Sequence, residues 1–161
     1  MKKFLVLLAV VGIFVACDYA SEAVETKPDI EVVWMDPMGT ATYIGDTAVY
    51  ANIDEVKIVA RNSVDCYLYK LVYEYYVNDT LFYDPFEIAL YTKIIGIVDE
   101  CEACTTTIEN VPIPLGPVRD NLEMGQSANV MLRWIAVGEY FDTEYDTTDS
   151  WFGVLMIPFE P

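Results

Sequence analysis

The residues of this 161-residue chain able to do chemistry fall into a few small groups, and none contains a histidine. The first is "CEAC", where Cys101 and Cys104 have the C-x-x-C spacing of a redox dithiol, half a zinc site or a local disulfide. A redox pair normally opens a helix after a strand, where the helix dipole lowers the thiol pKa. Here the pair lies in "VDECEACTTTIEN", between strand-like runs, with acidic neighbours that raise a thiol pKa. A zinc site needs four ligands; Cys66 could join the pair, but no histidine is present to complete the set. A structural disulfide is the favoured reading. It runs within Cys101–Cys104 or from Cys66 to one of them, and spacing alone leaves both open.

The second group is "FDTEYDTTDS", which places Asp142, Glu144, Asp146 and Asp149 between two long strand-like runs. Alternating carboxylates suit a hard cation such as Ca2+. An EF-hand loop, however, needs glycine where Thr147 stands and a bidentate glutamate where Gly153 stands. A solvated acidic loop is the favoured reading, with a loosely held calcium as the alternative. No other cofactor is expected.

The third group is "CYLYKLVYEYYV". Its odd positions, including Tyr67, Tyr69, Tyr73 and Tyr75, make one apolar-bodied face, while Lys70 and Glu74 mark the even face as the wetter one. Facing water, the tyrosines would form a stacking platform for sugar rings or a flat protein partner. Facing inward they would be core. An apolar strand face normally buries, so the inward reading is favoured and the platform is the alternative. Without histidine, Ser-His-Asp and Cys-His pairs and histidine metal sites are absent, and no catalytic constellation emerges. The expectation is a non-enzyme.

The fourth group is a single residue, Cys17. Before it stand Lys2, Lys3 and an apolar run from Phe4 to Ala16, too short to span a bilayer, which needs roughly 20 residues, but suited to a signal-peptide core. "FVAC" (Phe14 to Cys17) resembles the lipobox of bacterial lipoproteins, with Ala16 in the small position before the cysteine and Phe14 where leucine is usual. The resemblance implies that 1–16 is a signal peptide and that Cys17 carries palmitate-type acyl chains. It also implies a protein exported and anchored to a cell membrane, facing the periplasm or the cell exterior. Residues 17–29 lack an apolar period and read as a polar tether, and 30–161 as one domain.

The whole chain is acidic, with nine Lys and Arg against 26 Asp and Glu and a formal charge of −17. Such a surface repels phosphate backbones, so nucleic acid is excluded as a partner. With 54% hydrophobic residues the acidity does not mean disorder.

These groups must be positioned by strands. Ile30, Val32 and Trp34 alternate with Glu31, Val33 and Met35; Val56, Ile58 and Ala60 repeat the pattern. So do Phe86 to Ile94 and Ala128 to Ala136, each with period two. Turn clusters such as "VNDT", "RNSVD" and "DNLEMGQ" lie between them. Prolines 112, 114 and 117 mark an edge strand or crossing segment. The prediction is an all-β, antiparallel β-sandwich of roughly seven to nine strands, preceded by the signal helix and tether.

"LEMGQSANVMLRW" (Leu122 to Trp134) resembles the turn-and-strand signature of fibronectin type III and immunoglobulin-like domains. Leu122 and Gly125 match it, while Ala128 stands where that family has its corner tyrosine. "VKIVARNSVDCYLYKLVYEY" is similar to an early strand, turn and long strand of such a sandwich. The resemblance implies an architecture that hosts unrelated functions. The functional expectation is a membrane-anchored, non-catalytic binding or structural module of the cell envelope, with a protein partner. Its alternatives are a carbohydrate-binding module using the Tyr67–Tyr75 face, and a small calcium-binding surface protein.

Overall fold

A computed structural model describes residues 27–43, 45–62, 64–96, 104–138 and 145–158. Among them eight strands form, β1 (Ile30–Asp36), β2 (Gly39–Tyr43), β3 (Tyr50–Ala60), β4 (Cys66–Val77), β5 (Thr80–Ile94), β6 (Thr105–Pro114), β7 (Ser127–Gly138) and β8 (Tyr145–Ile157). One short helix, α1 (Gly116–Asn121), lies between β6 and β7. The strands make two sheets, ordered β1-β3-β6 and β2-β8-β7-β4-β5. All pairings are antiparallel except β2 with β8. The all-β sandwich expected from the alternation is the fold observed.

Alternation explains the core. Ala128, Val130, Leu132, Trp134 and Ala136 of β7 are buried, as are Val56, Ile58 and Ala60 of β3 and Ile94 of β5. A period of two puts these residues on one face of each strand, and the two sheets close over those faces. Local chemistry sets the turns. The hairpin joining β4 to β5 has Asn78 and Asp79 at φ 47° and 61°, the left-handed pair a two-residue loop requires and Asn and Asp tolerate. Before β7, Gly125 turns at φ 84° and donates its N–H to the Met156 carbonyl at 2.8 Å, tying the turn to β8.

The proline-rich segment is both an edge and a crossing. β6 is the edge strand beside β3, and α1, with Val118 in the core between buried Leu115 and Leu122, carries the chain to the second sheet. Pro112 and Pro114 pair with Asn52 and Tyr50. Proline has no N–H to give a ladder, so it fits where the backbone polar groups face the free edge.

Two bulges overrule simple alternation. In β1 the register with β3 shifts between Val32 and Trp34, so Ile30 and Met35 point inward while Trp34 is exposed. In β4 the register with both neighbours shifts between Leu68 and Lys70. Cys66 and Leu68 are buried before the shift, and Leu71, Tyr73 and Tyr75 after it. The odd positions of β4 are therefore not one face. The extra residue, Tyr69, lets the strand change the parity of its buried side.

Candidate functional site

The outer face of the five-stranded sheet gathers exposed and half-buried aromatic residues from three strands. In β8 the odd positions point to water: Tyr145 is 62% exposed and Trp151 49%, opposite buried Phe152, Val154 and Met156. β4 adds Tyr76, Tyr67 and Tyr69, the last two turned outward by the bulge, and β5 adds Tyr91. Register orders them in rows. Tyr67, Val137 and Tyr145 lie side by side across β4, β7 and β8; so do Val72, Arg133 and Asp149, and so do Glu74, Met131 and Trp151. The Trp151 ring meets Tyr76 edge-on, with centroids 5.7 Å apart and planes at 61°. Met131, although on this outer face, is nearly buried.

Ion pairs lock the polar part of the face. Arg133 donates through Nη1 to Glu74 and through Nε to Asp149, both at 3.1 Å. The other Glu74 oxygen accepts the Tyr76 hydroxyl. Lys70 pairs with Glu87 at 2.6 Å and lies 5.5 Å from the Tyr69 ring centroid; Lys93 pairs with Asp65 at 2.7 Å. Hydrogen bonding to Asp149 raises the Arg133 pKa, and bonding to Glu87 raises that of Lys70. The hydrogen bond to Glu74 holds the Tyr76 hydroxyl protonated. Exposed pairs of this kind contribute only about 0–1 kcal/mol each to stability. The effect of the Arg133 pairs is geometric: with Glu74 also accepting the Tyr76 hydroxyl, they fix the polar groups beside the Trp151–Tyr76 corner.

Of the tyrosines named from the sequence, Tyr67 and Tyr69 belong to this face, whereas Tyr73 and Tyr75 do not. Both of the latter are fully buried, Tyr73 stacked on Phe86 with centroids 4.8 Å apart. The favoured inward reading holds for Tyr73 and Tyr75 but not for Tyr67 and Tyr69, and the alternative of a continuous exposed Tyr67–Tyr75 platform is corrected: the bulge at Tyr69 sends the two halves to opposite sides. Trp151, Tyr145, Tyr76 and the Arg133 cluster were missed. The signal was the alternation of "YDTTDSWFGVLMI", whose odd positions carry an aromatic at 145 and another at 151 on the side away from Phe152 and Val154.

The acidic group separates. Asp142 and Glu144 lie outside the described residues. Asp146 faces the sandwich interior and accepts the Ile30 backbone N–H at 2.7 Å, joining β8 to β1 of the other sheet. Asp149 faces outward to Arg133. Three residues apart on a strand, the two point to opposite faces and do not converge on one cation. Among the described residues no cluster of three or more Asp, Glu or Cys is arranged to hold a metal.

Cys66 is a free thiol sealed in the core, with its pKa pushed up to about 11 by burial and then by the charges of Asp65 and Asp146. The alternative pairing of Cys66 with Cys101 or Cys104 is thus corrected: its side chain faces the interior of the sandwich, among the core residues. Cys104, just before β6, does not titrate as a thiol. Cys17 and Cys101 lie outside the described residues. Among the described residues no helix is long and apolar enough to cross a membrane.

Comparison with protein-family models, with curated proteins and with solved structures finds no match to this chain.

Proposed function

We propose that this chain is an exported lipoprotein, acylated at Cys17, whose sandwich serves as a non-catalytic binding module of the cell envelope. The outer face of the five-stranded sheet is its working surface. The observation that carries the reading is the concentration of Trp151, Tyr145, Tyr76, Tyr69 and Tyr91 on a face that the fold leaves open to water. The core is complete without them, since Trp134, Phe152, Tyr73 and Tyr75 already fill it. An exposed aromatic patch rimmed by fixed polar groups suits recognition.

The strand order supports an immunoglobulin-like reading of the sandwich. Lettering the strands in chain order as A, A′, B, C, C′, E, F and G makes the sheets A-B-E and A′-G-F-C-C′, with C′ extending the G-F-C side. With Cys17 acylated and Cys66 free, Cys101 is the thiol left for Cys104, and we assign the disulfide to that pair. Two or three acyl chains on Cys17 would anchor the domain stably, with residues 18–29 giving reach.

Photo-crosslinking in cells tests the surface. Benzoylphenylalanine replaces Thr147, exposed on the aromatic face, or Thr107, exposed on the three-stranded sheet. Adducts from 147 and none from 107 are expected; adducts equal at both positions, or none at 147, overturn the assignment of the face. Palmitate-analogue labelling tests the anchor. Cys17→Ala should lose both label and membrane fractionation, and unchanged membrane retention would reject acylation as the attachment.

A further inference from the structure

We infer that the sandwich stands on its membrane by one end, with the β3–β4, β5–β6 and β7–β8 connections toward the bilayer and the β4–β5 hairpin tip away from it. This rests on the acylation of Cys17 and adds the orientation in which the anchored domain meets a partner.

Hydrogen bonds from both sheets fix the point at which the chain enters the fold. The Asn62 side chain donates to the Lys27 carbonyl at 2.6 Å, and the Arg61 N–H donates to the Asp29 carbonyl at 2.6 Å. The Ile30 N–H donates to Asp146 of β8 at 2.7 Å, and the Arg61 side chain pairs with Glu31. Strand pairing puts this entry point at one end of the sandwich. Ile30 lies opposite Ala60, the last residue of β3; Cys66 lies opposite Ile94 and Gly138, and Val137 opposite Tyr145. The other end carries the Asn78–Asp79 turn, the β2–β3 connection and α1, where the Leu115 N–H donates to the Val49 carbonyl at 3.0 Å.

Two lengths decide which end faces the lipid. Ten peptide links join Cys17 to Lys27, and in any conformation they span at most about 35 Å. The 13 residues of β8 rise about 3.3 Å each, so the sandwich measures about 40 Å from end to end. With the hairpin end against the bilayer, the tether would have to run the whole length of the domain, which exceeds its reach. Lying flat would press a broad face of a chain with formal charge −17 against the headgroups. On the three-stranded sheet, for example, Asp36, Glu55 and Glu109 stand side by side in one row. An anionic bilayer repels such a face. Lettered as an immunoglobulin-like sandwich, the end facing the lipid carries the B–C and F–G loops, with which variable domains hold antigen. Turned toward the bilayer, those loops are shielded from a large partner, which is left the sides and the hairpin end.

Energy transfer to the membrane tests the orientation. The full acylated chain is placed in nanodiscs of mixed phosphatidylcholine and phosphatidylglycerol that carry an acceptor dye on the headgroups. The donor dye is attached after Ile95→Cys, at an exposed position of the entry end, or after Thr80→Cys, exposed at the hairpin. The parent chain, taken through the same labelling, sets the background. Transfer from position 95 should exceed that from position 80 by at least about twofold, given a separation close to the length of the sandwich. Equal transfer, or more from 80, overturns the orientation and leaves the anchor standing. Transfer from neither position, or transfer that survives Cys17→Ala, rejects the acylation and the orientation with it. Inserting about 20 Gly and Ser residues after Thr26 makes the tether longer than the sandwich, so the difference should shrink. An unchanged difference overturns tether length as its cause.

Discussion

The Tyr75 hydroxyl donates a 2.8 Å hydrogen bond to the Pro114 carbonyl, spanning the sandwich from β4 to the edge strand β6. Tyr73 makes the same kind of bond to Pro112 at 3.0 Å. Two prolines withhold N–H groups from the β6 edge and two tyrosines occupy carbonyls there, so this edge is a poor template for another strand. Burial raises the pKa of both hydroxyls, which keeps them as donors.

Tyr75→Phe leaves the Pro114 carbonyl without its partner and should cost about 1–2 kcal/mol. Tyr75→Ala adds a cavity and should cost about 3–5 kcal/mol. Urea unfolding of the two variants checks the order; a Phe variant as stable as the parent would mean that the bond contributes nothing.

Asp65 gives a pH dependence of known sign. Its carboxyl is held below the ordinary value of 3.8, first by the hydrogen bond from Lys93 and then by that from the Gly96 N–H. A lowered folded value means that the ionised form favours folding. That contribution is present above pH 3.8 and is lost as the pH falls through the folded value. Thermal melts from pH 6 down to 2.5 should therefore fall less steeply in Asp65→Asn, which starts lower at neutral pH. Parallel curves would contradict the assignment.

Cys66 should be silent in the folded protein. A buried thiol titrating at about 11 is protonated near neutrality and out of reach of alkylating reagents. On the proposed acylation of Cys17 and Cys101–Cys104 bond, iodoacetamide at pH 8 should leave the native chain unmodified, label one cysteine in denaturant, and label three after reduction. Three labels before reduction would reject the proposed Cys101–Cys104 bond. Because the folded pKa exceeds the ordinary 9.0, ionisation favours unfolding above that pH, and stability should decline there.

Gly39 and Gly153 face each other where β2 runs parallel to β8, with the Gly153 N–H donating to Met38 O at 3.0 Å. A Cβ on Gly39 would sit 2.8 Å from the Gly153 carbonyl oxygen, whereas one on Gly153 would meet nothing closer than 4.0 Å. Gly39→Ala should destabilise by about 1–3 kcal/mol and Gly153→Ala far less. Equal effects on Tm would rule out this steric explanation.

Much of the fold was legible from local pattern. The alternation in β3, β5 and β7 placed their buried sides correctly, "VNDT" marked its hairpin, and the prolines of 112–117 marked an edge and a crossing. The candidate site was half legible. Its tyrosines 67 and 69 stood out, but so did Tyr73 and Tyr75, which the core takes.

The sequence by itself determined that strands form and where turns interrupt them, because periodicity and turn chemistry are local properties of the chain. Only the tertiary structure decided which aromatic residues meet water. A bulge is an extra residue counted against a partner strand, so it does not exist until strands pair. At Val33 and Tyr69 that pairing shifts the phase of the strand, leaving Trp34, Tyr67 and Tyr69 outside and Tyr73 and Tyr75 within. The ion pairs that surround Trp151 likewise join residues of β4, β7 and β8, far apart in the chain, and arise only from register.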